Sequence, residues 1–370
     1  MRRTSTYLVG LLLVVFVVFG FVIGCQDSSY DPVSPTETPQ VTPLLSASNP
    51  HVQAVMAIQE RHTSKLMADP EVVGTATGLT EDGRPAVLVL LKSERGRSMV
   101  PKELDGVPVR PMVTGPIKAL GKPVQGPDHK ARQDRPIELG VSGGNVNDIA
   151  NGYCCSGTLG ALVASGGTQY ILSNSHVFAG DIAASATDPD VAEIGDPINQ
   201  PGLIDVQCQQ IPADYVANLS SLSTLNTSDN VDAAIAEVIA GKVSTDGSIL
   251  EIGVISSTTL TAYVGLDVKK SGRTTGLTRS SVTGINLSVN VGYEDECNGV
   301  PFTKLFTGQI LLANKASKFL GAGDSGSLLV EDVDTNPRAV GLLFAGSSKT
   351  AIANPIDDVL SHFGMSLVGN

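Results

Sequence analysis

The chain has 370 residues and a formal net charge of −12, with 17% charged and 42% hydrophobic residues. Nucleic-acid binding needs clustered Lys and Arg against phosphate, so this acidic balance predicts no nucleic-acid partner. The 39 glycines, 21 prolines and 4% aromatic residues favour many short strands and turns over long charged helices.

The N-terminus has the pattern of a secretory signal. Arg2 and Arg3 precede an apolar run over 7–23, which ends in Val-Ile-Gly before Cys25. This ending resembles the lipobox of bacterial lipoproteins, which implies removal of 1–24, lipid on the Cys25 sulfur and a protein exported to the bacterial cell envelope. The alternative is an uncleaved membrane anchor, for which the run is short, since a spanning helix needs roughly 20 residues.

Composition divides the rest of the chain. Residues 25–47 carry prolines among Ser and Thr without a hydrophobic period, which indicates a disordered tether. Residues 48–120 are predicted to form a small α+β domain, and 121–135 a polar linker. The remainder, 136–370, changes to short apolar runs separated by turns, which is typical of an all-β domain.

The small domain begins with a helix and a hairpin. Asn49 is a suitable N-cap with Pro50 at the first helical position, and Pro70 ends the periodic segment. Asp82-Gly83 between two apolar runs predicts a hairpin. No nucleophile, base and orienting group converge here, so the sequence favours a structural or regulatory role.

Four cysteines follow the signal segment. Export permits disulfides, but the sequence leaves the pairing open among Cys154, Cys155, Cys208 and Cys297. Adjacent cysteines lack the two-residue spacer of common zinc sites, so we predict neither a metal nor a cofactor.

Two polar side chains lie at the ends of apolar strands in the second domain. His176 directly follows the apolar segment 168–172, a position that would hold a general base rigidly. Asp232 precedes the apolar segment 233–236, where a buried carboxylate needs a partner such as an imidazole N–H. Asp229 is the competing carboxylate, but its Thr-Ser-Asp-Asn context favours a solvated turn.

A serine between glycines comes before the apolar run 328–330. Gly323-Asp324-Ser325-Gly326 presents a hydroxyl on a tight turn, with backbone N–H groups beside it. A nucleophile next to such donors is the arrangement that acyl transfer needs.

His176, Asp232 and Ser325 occur in the chain order of the trypsin/chymotrypsin-like serine peptidases. The region 136–370 resembles the bacterial streptogrisin and α-lytic type through the motifs Lys269–Leu277, Val282–Asn286, Gly323–Gly326 and Ala339–Leu342. The resemblance implies two antiparallel β-barrels, a serine endopeptidase acting on proteins or peptides, and these three residues as the triad.

Further roles follow from the resemblance alone. It implies an oxyanion hole from the N–H groups of Gly323 and Ser325, and a structural ion pair between Asp324 and Lys270. It also implies that the substrate lies against four residues, namely Phe319, Phe344, Ala345 and Gly346. Phe319 at the pocket floor offers no carboxylate, which favours a small or apolar residue before the cleaved bond.

Three positions depart from the family pattern. Val177 replaces the cysteine usual after the histidine, Ser327 replaces a glycine, and Phe344 stands where relatives often place a small polar residue beside the aspartate. Two alternatives therefore remain open. One is a weak or inactive peptidase-like binding or scaffold protein, and the other is an enzyme that mainly processes its own N-terminal domain.

Overall fold

The computed structural model describes residues 46–119, 128–150, 153–179, 192–225, 229–293, 301–315 and 318–370. These residues belong to one compact unit. The predicted lipidation site Cys25 and residues 25–45 of the predicted tether lie outside the described residues, as does Cys297. Ser46, near the end of the predicted tether, forms an isolated antiparallel bridge with Tyr263. None of the helices in the described ranges is both long and apolar enough to cross a membrane.

The N-terminal part contains one long helix and five strands. They are α1 (Pro50–Met67), β1 (Val72–Leu79), β2 (Pro85–Leu91), β3 (Glu103–Leu104), β4 (Val107–Val113) and β5 (Lys118–Ala119). The predicted cap is present, because the Asn49 side chain accepts a hydrogen bond of 2.9 Å from the His51 N–H and Pro50 begins the helix.

The middle of the chain is made of short strands. They are β6 (Val141–Asn145), β7 (Ile149–Ala150), β8 (Tyr153–Cys154), β9 (Gly157–Leu159), β10 (Ala161–Ser165), β11 (Thr168–Ser173), β12 (Pro197–Asn199), β13 (Tyr215–Leu222), β14 (Ala234–Val238), β15 (Ser248–Ile249) and β16 (Gly253–Val254). A short helix, α2 (Ser175–Phe178), follows β11.

The C-terminal part contains the longest strands. Its elements are β17 (Asp267–Lys270), β18 (Thr278–Tyr293), β19 (Phe302–Ala313), β20 (Leu328–Glu331), β21 (Ala339–Gly346), β22 (Thr350–Pro355), α3 (Ile356–Phe363) and β23 (Ser366–Leu367).

The strands form two curled antiparallel sheets. The first has eight strands in the order β23-β10-β11-β14-β13-β12-β6-β9. The second closes on itself in the order β17-β20-β21-β22-β19-β18, because β18 also pairs with β17. The predicted all-β architecture of two antiparallel barrels after a small α+β part is therefore confirmed.

Strand β20 lies between the two cores. Leu328 and Val330 pack in the core of the first sheet, whereas Leu329 packs in the core of the second. Successive side chains of a strand point to opposite faces, so this short strand is buried on both sides. Ser325, three residues before the start of β20, is consequently held near the junction of the two sheets.

The α+β part continues the second sheet. Strand β1 pairs antiparallel with β18, and β2 and β4 extend the sheet outward from β1. Gln59 of α1 is buried and donates hydrogen bonds of 3.2 Å to the Thr75 carbonyl and 2.9 Å to the Asn286 carbonyl. The helix is thus tied to both β1 and β18.

Candidate active site

Strand register brings His176 to Asp232. Strands β11 and β14 are antiparallel neighbours, with Ser173 opposite Ala234. Residues that follow β11 therefore lie beside residues that precede β14. Two side chains join the segment after β11 to the segment before β14. The Asn174 amide donates to the Asp232 carbonyl at 2.7 Å, and the Ser175 hydroxyl donates to the Ala233 carbonyl at 2.8 Å.

The two side chains form a short contact. His176 Nδ1 lies 2.6 Å from Asp232 Oδ2, and the His176 backbone N–H donates to Asp232 Oδ1 at 3.3 Å. Asp232 is fully buried. A buried carboxylate on Nδ1 holds the imidazole with Nε2 available as a base. Asp229 instead accepts from the Thr224 N–H at 2.8 Å.

Sequence reasoning missed a third partner of the carboxylate. The hydroxyl of Tyr293, at the end of β18, donates to Asp232 Oδ2 at 2.9 Å, and its ring lies edge-on to His176 with a centroid distance of 6.0 Å. Nothing local to Tyr293 in the sequence points to Asp232, because the contact depends on how far β18 extends. Tyr293 thus gives Asp232 a hydrogen bond from a residue other than position 344, where this chain has phenylalanine.

Burial and the charge of Asp232 raise the pKa of the Tyr293 hydroxyl well above its usual 10.0. A raised folded-state pKa contributes stability that is fully present below pH 10.0 and is lost as pH rises through the folded value. We expect Tyr293→Phe to lower the free energy of unfolding by about 1.5–3 kcal/mol near neutral pH, the value of a hydrogen bond to a charged group.

The difference in unfolding free energy between wild type and Tyr293→Phe should become smaller as pH rises above 10.0, because only the wild type loses the stabilisation from the Tyr293 hydroxyl. Denaturant unfolding at several pH values measures it. Tyr153→Phe, at a tyrosine on the surface, is the control with no such pH-dependent deficit. If the loss of unfolding free energy in Tyr293→Phe were the same at every pH, the Tyr293 hydroxyl would not make the predicted stabilising contribution.

Glycines shape the turn that carries Ser325. Gly326 has φ +91°, and a Cβ there would lie 2.3 Å from both the Thr158 carbonyl oxygen and Ser173 Oγ. Only glycine fits this conformation and this approach. A Cβ at Gly157 would lie 2.9 Å from the Ser325 carbonyl oxygen and 2.5 Å from a Val177 methyl. Strand β9 at Gly157 is therefore in close contact both with the Ser325 turn and with Val177, the residue next to His176.

Ser325 and His176 are not hydrogen-bonded to each other. Ser325 Oγ lies 3.5 Å from the Phe344 carbonyl oxygen, the long end of the hydrogen-bond range. His176 Nε2 is buried and has no hydrogen-bond partner within the described ranges. A buried acceptor without a partner is unusual in a folded protein, and it is the atom that a general base uses.

Strand β9 anchors the backbone around Ser325 from the opposite sheet. The Thr158 hydroxyl donates to the Gly323 carbonyl at 2.8 Å, and the Thr158 N–H donates to the Ser325 carbonyl at 2.9 Å. In contrast, the N–H groups of Gly323 and Ser325 donate to no acceptor in the part of the chain that the structure describes. They are thus available to an oxyanion.

Asp324 and Lys270 are brought together beneath the turn. Lys270 Nζ lies 3.2 Å from Asp324 Oδ2, and both side chains are completely buried. Asp324 Oδ1 also accepts from the Thr274 N–H at 2.8 Å, and Oδ2 accepts from the Gly321 N–H at 2.9 Å. Burial lowers the pKa of Lys270, and the charge of Asp324 opposes this shift.

Ser327 has a buried role in the same turn. Its hydroxyl donates to the Asp324 carbonyl at 2.5 Å. A Cβ at Gly272 would lie 2.3 Å from Ser327 Oγ, so a glycine opposite provides the space for the serine. This contact explains how the turn accommodates serine where the family pattern has glycine.

The predicted substrate residues lie in different environments. The Phe344 ring is buried and packs on Phe306 at a centroid distance of 4.9 Å, so only its backbone faces Ser325. Phe319 is buried in the core of the second barrel, and its carbonyl accepts from the Thr278 hydroxyl at 2.8 Å. Ala345 and Gly346 lie on β21, where they pair with β5.

The structure shows one disulfide among the cysteines whose pairing the sequence left open. Cys154 and Cys208 form a disulfide with a Cα–Cα distance of 5.7 Å. It joins β8 to the loop after β12 in the first sheet. Among the described residues, no three His, Cys, Asp or Glu side chains are grouped so that they could hold a metal ion.

Comparisons with known proteins give one family and several structures. The family described as the Nal1 C-terminal domain matches residues 223–354, which include Asp232 and Ser325 but not His176. Thermobifida fusca protease A is similar at 18% identity with a TM-score of 0.42, over 63% of this chain and 99% of that chain. A chymotrypsin of Cellulomonas bogoriensis is similar at 18% identity with a TM-score of 0.41, over 63% and 99%.

A further similar structure is a serine protease described as specific for glutamic acid, with a histidine triad in substrate binding. It has 18% identity and a TM-score of 0.40, over 62% of this chain and all of that chain. The chemistry proposed below therefore depends on the contacts of this chain's own residues.

Proposed function

We propose that the protein is a serine endopeptidase that hydrolyses peptide bonds through Ser325, His176 and Asp232. The observation that carries the proposal is the buried His176–Asp232 contact of 2.6 Å, which leaves a buried Nε2 without a partner in the described ranges. The position of Gly157, close to both the Ser325 carbonyl and Val177, supports it because strand β9 links the two segments that carry Ser325 and His176.

In the proposed reaction Ser325 Oγ leaves the Phe344 carbonyl by rotation about χ1 and donates its proton to His176 Nε2. The oxygen attacks the substrate carbonyl carbon, and the resulting oxyanion accepts from the N–H groups of Gly323 and Ser325. His176 then protonates the leaving amine, which gives an acyl-enzyme on Ser325. Water then gives a proton to His176 and attacks the acyl-enzyme, and the carboxylic acid leaves as Ser325 regains its proton.

Asp232 does not transfer a proton in this scheme. It orients the imidazole and stabilises the imidazolium that forms. Tyr293 shares Asp232 Oδ2 with His176 and acts as a positioning residue for the carboxylate. We further propose that the chain is exported and lipid-anchored at Cys25, on the strength of the signal pattern over 1–25.

Labelling with a fluorophosphonate tests the proposal. We expect wild type to react at Ser325 and Ser325→Ala not to react, because the reagent traps an activated serine. Ser327→Ala is the matched control, since its hydroxyl is buried within the same turn and bonded to the Asp324 carbonyl. That variant should still be labelled. Labelling of Ser325→Ala at the wild-type level would refute the proposal.

One observation favours a second function, a peptidase-like binding or scaffold protein without turnover. Ser325 Oγ contacts the Phe344 carbonyl instead of His176. Catalytic hydrogen bonds often tighten only when substrate binds, so labelling of the wild-type protein distinguishes the two functions. Absence of labelling in a folded wild-type protein would favour this second function. Self-processing of the N-terminal part stays a prediction.

A further inference from the structure

Strand β5 lies between strands β21 and β18, and β21 is the strand whose Phe344 carbonyl contacts Ser325. On one side it is antiparallel to β21, with Lys118 opposite Gly346 and Ala119 opposite Ala345. On the other side it is parallel to the end of β18, where the Gly292 N–H donates to the Ile117 carbonyl at 3.2 Å. A short piece of the N-terminal part thus fills a gap between two strands of the C-terminal barrel.

The backbone geometry tells which groups face β21. Backbone N–H and C=O groups alternate sides along a strand. Since the Ile117 carbonyl faces Gly292, both the N–H and the C=O of Lys118 face Gly346. Lys118 and Gly346 are accordingly the hydrogen-bonded pair of this antiparallel ladder.

The direction of β5 leads to the nucleophile. As the chain runs from Lys118 to Ala119, its partners on β21 run from Gly346 to Ala345, towards Phe344. The register between β21 and β22 shifts at Phe344, and its carbonyl oxygen lies 3.5 Å from Ser325 Oγ. Strand β5 therefore approaches Ser325 in an extended conformation, as a peptide substrate must.

Side chains of this segment alternate between the core and solvent. Ile117 is buried and belongs to the same apolar cluster as Phe306, Phe344 and Ala345. Lys118 is exposed. The slot between β21 and β18 thus takes an aliphatic side chain at the position of Ile117 and leaves the next side chain outside.

We propose that Ile117–Ala119 occupies the peptide-binding slot of this site and competes with substrate. An extended peptide with an aliphatic residue at the position of Ile117 pairs with β21 and β18 in its place. This inference rests on the proposed function for hydrolysis, but the slot itself can be tested without catalysis. Strand addition of this kind takes its affinity from main-chain hydrogen bonds and its specificity from alternate side chains.

The test compares Lys118→Pro with Lys118→Ala. Proline removes the N–H that faces Gly346, whereas alanine keeps the backbone and changes only an exposed side chain. In the Ser325→Ala background, a fluorescent Gly-Pro-Ile-Lys-Ala peptide should bind Lys118→Pro about three- to tenfold more tightly than Lys118→Ala, as loss of one main-chain hydrogen bond of β5 predicts. The same peptide with aspartate in place of isoleucine should not bind.

Hydrolysis provides the second measurement. With Ser325 intact, Lys118→Pro should raise kcat/KM for an extended peptide by a similar factor. The kcat/KM for a small acyl ester should not change, because such an ester does not need the slot. If Lys118→Pro does not fold, Ile117→Ser serves the same purpose, because it removes the apolar anchor and keeps the backbone.

The outcomes separate the two proposals. If the proline and alanine variants bind the peptide equally, or if the aspartate peptide binds as well as the isoleucine peptide, Ile117–Ala119 does not compete with substrate. This conclusion would hold even if the enzyme is active. Tighter binding by Lys118→Pro without labelling or hydrolysis in any variant would instead overturn the endopeptidase function and keep the slot as a peptide-binding site.

Discussion

Replacing Asp232 with asparagine should lower kcat by about 10⁴-fold, with a much smaller change in KM. The carboxylate accepts from the His176 ring at 2.6 Å and is completely buried. An amide in its place can present an N–H to Nδ1, which stabilises the tautomer with the proton on Nε2. His176 would then be unable to accept the proton of Ser325.

Asp229→Asn is the matched control for this change. Asp229 lies near Asp232 in the chain, but its carboxylate accepts hydrogen bonds from the Thr224 N–H and hydroxyl. Steady-state kinetics on an ester or peptide substrate should therefore show near wild-type turnover for Asp229→Asn. A loss for Asp232→Asn below tenfold, or an equal loss in both variants, would mean that Asp232 does not orient the base.

Replacing Lys270 with methionine should lower the free energy of unfolding by about 3–5 kcal/mol. The reason is the partner that remains, because the Asp324 carboxylate would stay completely buried without its 3.2 Å cation. Lys270 also donates to the Gly276 carbonyl at 3.0 Å, so the loop before β18 would lose a donor. Chemical denaturation measures the change.

Two further variants make the Lys270 result specific. Lys242→Met replaces a half-buried lysine whose Nζ makes one long hydrogen bond, of 3.4 Å to the Ala213 carbonyl, and should change stability by no more than about 0.5 kcal/mol. The double variant Lys270→Met with Asp324→Asn should lose less than the sum of the two single losses, because it removes the unpaired charge. A Lys270→Met loss as small as that of Lys242→Met would show that the ion pair does not support the turn.

Local chemistry made much of the fold readable from the sequence. Asn49 and Pro50 begin α1 because an Asx side chain and a fixed φ satisfy a helix N-terminus wherever they occur. The hairpin around Asp82-Gly83 depends on a turn whose geometry only a few residues permit. Both features involve residues that are close in the chain.

The position of the α+β part in the second sheet could not be predicted from local sequence features. Its composition predicted a small α+β domain over 48–120, and the structure adds that β1 of this part pairs with β18, with the sheet continuing through β2 and β4. An unpaired strand edge on β18 carries no local signal of which partner will cover it. Pairing between strands some two hundred residues apart depends on the whole sheet.

By itself the sequence determined the residue types of the candidate site, since a serine between glycines and a histidine and an aspartate at strand ends are local features. Only the tertiary structure decided what surrounds them. It placed the Tyr293 hydroxyl 2.9 Å from Asp232 and strand β5 beside Gly346, because the length of β18 and the path of the chain bring distant segments together. Such contacts depend on three-dimensional packing, which no spacing along the chain encodes.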